Sequence, residues 1–157
     1  MIGMRTALRW RAAALRTALL MGTALVAVTL SAQAQAQATR WTGAISGDWS
    51  HSGNWSNGVP GVLTPFEVAY GGGSKPPTVQ INGIAAETEW GVVGYHGTGR
   101  LEITNGGSLT STYDITIGRE PGSVGSLLVD GNGSKMTSRD LEVGISISNG
   151  TLTISNN

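Results

Sequence analysis

An all-β fold, a right-handed parallel β-helix of about 25 residues per coil, is what this 157-residue sequence predicts. Three observations lead there. Gly99-Arg-Leu-Glu-Ile-Thr104 returns as Gly125-Ser-Leu-Leu-Val-Asp130 and again as Gly150-Thr-Leu-Thr-Ile-Ser155, with leading glycines 26 and then 25 positions apart. A second series, Val93-Gly94, Ile117-Gly118 and Val143-Gly144, recurs at 24 and 26. Periods of this length mark a chain that stacks one unit on the next. Within the repeats, Leu101/Ile103, Leu127/Val129 and Leu152/Ile154 alternate with residues such as Arg100/Glu102 and Thr151/Thr153. That is the period-two pattern of strands with one buried face. Hairpins in a sandwich would not need the same positions apolar each time. Stacked coils do, because Leu101, Leu127 and Leu152 then form one internal column, roughly 4.8 Å per step, and Ile103, Val129 and Ile154 the next.

Taken in order, residues 1–38 read as a signal peptide. Arg5, Arg9, Arg11 and Arg16 form a cationic lead, Ala18 to Leu30 is an uncharged apolar run, and Ser31 to Ala38 alternates small residues. Cleavage is expected after Ala34, Ala36 or Ala38. The thirteen-residue apolar run reaches only about 20 Å as a helix, short of a roughly 30 Å hydrocarbon core, so it reads as a leader and not an anchor.

Residues 39–77 form a Trp/Gly-rich capping segment. Trp41, Trp49 and Trp55, set among Gly, Ser and Asn, suit no helix and no long strand. Two roles fit them: sealing the first coil, whose apolar interior would otherwise meet water, or a flat platform for sugar rings. Sealing is the favoured reading, because every solenoid must close its first rung. Trp90 is expected to pack beneath that cap. Leu63 to Pro77 reads as a loop, broken by Gly71-Gly72-Gly73 and Pro76-Pro77.

Residues 78–157 carry the repeats. Strands are expected near Thr78–Ile81, Gly91–Val93, Arg100–Thr104, Asp114–Ile117, Ser126–Val129, Leu141–Val143 and Thr151–Ile154. Asn57-Gly58, Asn82-Gly83, Asn105-Gly106, Asp130-Gly131 and Asn149-Gly150 supply the positive φ of tight turns between them. The last repeat breaks off where the first continues, so the sequence reads as the N-terminal fragment of a longer protein.

Charge and composition exclude several functions. Four of the ten basic residues lie in the leader and none of the ten acidic ones does, which leaves six against ten, a net charge of −4. No Lys/Arg cluster survives to neutralise phosphates, so nucleic acid is not an expected partner. Absence of cysteine means that the exported chain is held by ladders and packing, not disulfides. Two isolated histidines, His51 and His96, fall short of a zinc ligand set, and no Gly-x-Ser-x-Gly elbow is present. Glu87/Glu89 and the acids Asp114, Glu120, Asp130, Asp140 and Glu142 read as solvated faces. Asp130-Gly131-Asn132-Gly133 reads as a tight turn and not as a calcium loop. No catalytic residue, cofactor or metal is expected.

The segment from Trp41 to Asn54-Trp55-Ser56-Asn57-Gly58-Val59-Pro60 resembles the start of many autotransporter passenger domains. The repeats, Val93-Gly94, Gly99-x-Leu101-x-Ile103, Gly106-Gly107 and Ser108-Leu109-Thr110-Ser111, with a second copy from Ile117-Gly118 to Ser134-Lys135-Met136-Thr137-Ser138, are similar to those of autotransporter (type V secretion) and PEP-CTERM-associated surface proteins. The resemblance implies a passenger exported through the inner membrane by the export machinery and presented at the surface of a Gram-negative cell. It also implies a C-terminal barrel in the full-length protein; residues 1–157 contain neither that barrel nor a Pro-Glu-Pro sorting segment. The expected function is a non-enzymatic structural and adhesive surface module meeting host or environmental glycans or proteins. The alternatives are the N-terminal part of a β-helical, polysaccharide lyase-like enzyme, or a carbohydrate-binding module led by Trp41, Trp49 and Trp55.

Overall fold

The structure, a computed structural model, describes residues 36–70 and 78–156. The leader up to residue 35 and the Gly/Pro breakers of 71–77 lie outside these. Among the described residues, twelve strands follow in a repeating order. After β1 (Thr39–Arg40), the first coil contains β2 (Phe66–Val68), β3 (Thr78–Asn82) and β4 (Ala85–Thr88). The second contains β5 (Gly91–Val93), β6 (Thr98–Thr104) and β7 (Ser108–Ser111), and the third β8 (Ile115–Ile117), β9 (Val124–Asp130) and β10 (Lys135–Thr137). The fourth contains β11 (Leu141–Val143) and β12 (Asn149–Ser155). Each strand pairs in parallel with its counterpart one coil away, which gives three sheets: β1-β2-β5-β8-β11, β3-β6-β9-β12 and β4-β7-β10. The chain is a parallel β-solenoid of about four turns. Among the described residues no helix is long and apolar enough to cross a membrane.

The columns have the expected register. Val79, Leu101, Leu127 and Leu152 are successive partners, as are Ile81, Ile103, Val129 and Ile154. Ala86, Leu109 and Met136 form a third column, and Val68, Val93, Ile117 and Val143 a fourth. Leu101, Ile103, Leu127 and Val129 are buried. The core expectation fails for Ile154, which is 63% exposed, and holds only in part for Leu152, which is half-buried. Both are in register, but no described strand stacks beyond β12, so their outer sides meet water. Leu141 and Val143 of β11 are exposed for the same reason.

Glycine explains why the repeat is so legible. Each three-residue strand of the first sheet ends at a corner with positive φ: Gly94 at 80° and Gly118 at 77°, with Ala69 taking the same corner at 61° in the first coil. A Cβ on Gly94 would lie 2.6 Å from the Val124 carbonyl oxygen of the next coil. Gly125 starts the long strand where it passes back over the corner, and a side chain there would overlap the Val93 carbonyl. Two features differ from expectation. Phe66–Val68, within the predicted loop, is a strand whose phenyl ring fills the space above Gly91. Asn149-Gly150 lies inside β12 and makes no turn.

Candidate functional site

The tryptophan segment forms the first rung. Asp48 bridges to Gln80 in parallel, with Trp49 N–H donating to the Gln80 carbonyl (3.0 Å) and Gln80 N–H to the Gly47 carbonyl (2.7 Å). This extends the sheet of β3 by one step and places Trp49 over the Ile81 column. In the order Trp41, Trp55, Trp49 and Phe66, the rings pack edge to face at centroid distances of 4.9 to 5.0 Å between successive members. Trp55 Nε1–H is satisfied by the Trp49 carbonyl at 2.7 Å. Buried Asn54 holds the loop: its Oδ1 accepts from Ile45 and Ser46 N–H (2.9 and 3.0 Å), and its Nδ2 donates to the Asp48 carbonyl (2.9 Å) and the Ser46 hydroxyl (3.1 Å). Trp41, Trp49 and Trp55 are 8%, 2% and 5% exposed. The alternative role as a glycan platform is therefore corrected: none of these three indoles has a face open to a sugar ring. Trp90 is also not under the cap.

Instead, Trp90 borders a groove on the outer face of the first sheet. The outward residues Arg40, Glu67, Val92, Thr116 and Glu142 are register partners running along the solenoid axis. Glu67, Val92 and Thr116 are buried at 6%, 1% and 5% although they point away from the core, because taller side chains flank them. One wall is a stack: the Arg40 guanidinium lies 3.5 Å over the Tyr70 ring, Tyr70 is 5.2 Å from Tyr95, and Arg119 lies 5.3 Å from the Tyr95 centroid. The other is Trp90 with Asp114, whose two oxygens accept from Arg139 Nη2 at 2.9 and 3.2 Å. Arg40 Nε donates to Glu67 at 3.0 Å, and the Thr116 hydroxyl donates to Glu142 at 3.1 Å. Between the walls, Trp90, Gly91, Val92, Asp114, Thr116, Arg119, Glu142 and Ile145 enclose a cleft of about 160 Å³. That is roughly half the smallest usual small-molecule pocket, of order 300 Å³.

The remaining polar candidates are accounted for locally. His51 Nδ1 accepts from Gly53 N–H (3.2 Å) at a short 3-10 turn, and His96 packs edge-on against Tyr95 at 4.4 Å. Asp130 faces the Ser155 hydroxyl and the Asn156 amide, in a turn closed by Ser134 N–H to the Gly131 carbonyl (3.0 Å). Among the described residues no group of three His, Cys, Asp or Glu is placed to hold a metal ion. Reading the sequence for function missed the groove. Its signal is the same period: Trp90, Asp114 and Asp140 each stand one residue before a first-sheet strand. Compared with known protein families, with curated proteins and with solved structures, the chain matches none.

Proposed function

We propose that this chain is an exported, autotransporter-type surface module whose working part is its repeated outer faces, with no catalysis of its own. The observation that carries the reading is the alignment of equivalent outward positions coil after coil, as in Arg40-Glu67-Val92-Thr116-Glu142. Such a surface gains binding strength from repetition and not from one deep pocket. The export signal read in residues 1–38, the absence of cysteine and the likeness of the repeats to passenger proteins support the location. The barrel expected by that likeness would supply the route across an outer membrane. Expression in a Gram-negative host, followed by cell fractionation with N-terminal sequencing and by a bead-adherence assay on the purified protein, tests both parts. Expected are loss of the leader and passage out of the cytoplasm, and adherence of beads coated with the purified protein to cells or glycans. Full-length protein retained in the cytoplasm contradicts export, and beads that adhere to nothing contradict adhesion.

A further inference from the structure

We infer that the cleft between Trp90 and Arg119 binds a neutral pyranose ring of a surface glycan; the inference rests on the adhesive reading for the kind of partner it meets. A pyranose has a C–H face that is apolar and a rim of hydroxyls that both donate and accept. The cleft offers the matching parts. Trp90 is the half-buried tryptophan of the described residues, the other three being closed off in the cap, and its indole can take the apolar face. Around it stand acceptors for sugar O–H groups in the Asp114 and Glu142 carboxylates, an acceptor in the Thr116 hydroxyl, and donors in the Arg119 guanidinium.

The hydrogen bonds already present prepare these groups without using them up. Arg139 fixes the Asp114 carboxylate from one side, and the Thr116 hydroxyl takes one oxygen of Glu142. Each carboxylate oxygen retains a lone pair. Arg119 has no carboxylate within ion-pair distance among the described residues, since the four ion pairs are Arg40–Glu67, Arg100–Glu102, Arg139–Asp114 and Arg139–Asp140. Against a uronate or phosphate, its one charge is opposed by Asp114 and Glu142. An apolar ligand would bury the unpaired Arg119 guanidinium and leave the free lone pairs of Asp114 and Glu142 unmatched, at a cost. A neutral polyol avoids both penalties. The cleft's volume admits one ring, and the groove floor continues beyond it from Val92 to Glu67, so neighbouring rings of a linear glycan would lie along the axis.

A single shallow ring site should bind with a dissociation constant on the order of 1–10 mM. The test is a titration of the purified protein, followed through its tryptophan indole N–H signals by NMR. The probes are glucose, N-acetylglucosamine, glucuronic acid and a mixed peptide library. Expected is a saturable shift of the Trp90 signal with at least one of the two neutral sugars, weaker with the uronate, while Trp41, Trp49 and Trp55 stay still. Trp90→Leu and Glu142→Ala should each weaken binding at least tenfold. Unmoved Trp49 and Trp55 signals show that the variants are folded, and exposed Glu142 provides the variant least able to disturb folding. The inference is overturned if neither neutral sugar gives a saturable shift at about 100 mM, if both variants bind as before, or if the uronate or the peptides bind more tightly. Bead adherence read in parallel separates the two proposals. Adhesion with a blank titration removes the cleft and keeps the adhesive reading, and a saturating titration without adhesion does the reverse.

Discussion

Asp130 stands at the end of β9 and faces the last residues of β12. Its carboxylate accepts from the Ser155 hydroxyl at 2.6 Å and the Asn156 amide at 2.9 Å, and these bonds, the Ser155 hydroxyl first, hold its pKa below the usual carboxylate value. A folded value below the unfolded one means a contribution present above the ordinary carboxylate range and lost as pH falls through the lowered value. Acid should therefore loosen the end of β12 before the inner coils. The expected result is faster amide exchange at Ser155 than at Val129 as pH drops from about 5 to about 2, after correction for intrinsic rates. Asp130→Asn should remove that dependence. Exchange at Ser155 that follows Val129 throughout would show that the tether is ornamental. Asp48 follows the same sign, held low first by the Ser50 N–H and then by the Ser50 hydroxyl.

Elements differ in cost according to how completely the neighbouring coils cover them, since a solenoid's stability is a sum over adjacent rungs. Leu101 is fully buried between Val79 and Leu127, so Leu101→Ala should cost about 2–5 kcal/mol. Ile154 occupies an equivalent, in-register position on β12 yet is exposed, so Ile154→Ala should cost about 0.5 kcal/mol. Urea melts of the two variants, which equal costs would contradict, measure the difference. The inner columns were legible in the sequence because burial on one face of a strand imposes period two, and coil stacking imposes the same positions every 25 residues or so. Leu152 and Ile154 carry that pattern too, but pattern reports register and not coverage. Phe66–Val68 was not legible as a strand: three residues are too few for periodicity, and the Gly71-Gly72-Gly73 and Pro76-Pro77 breakers that follow marked the whole stretch as loop. The groove was hidden because its parts, Trp90, Asp114, Thr116, Arg119 and Glu142, come from three coils and become neighbours only through strand pairing.

At the scale of the molecule, the described residues form one solenoid with a sealed aromatic first rung, an apolar interior and outer faces of different character. The sheet of β3, β6, β9 and β12 shows Arg100, Glu102 and Gln80, cross-linked by hydrogen bonds of 2.6 and 3.3 Å. The first sheet shows the walled groove. Every one of these surfaces, and the proposed sugar site most of all, depends on the in-register parallel stacking of coils. Because the chain has no cysteine, paired cysteines read that register without background. Arg100 and Ser126 are direct partners on the outer face, whereas Arg100 and Leu128 are offset by two residues, about 8 Å apart. Under mild oxidation, R100C/S126C should close an intramolecular disulfide rapidly and nearly completely, and R100C/L128C should not. Efficient closure of the offset pair with failure of the aligned one would contradict the stacking on which the account stands.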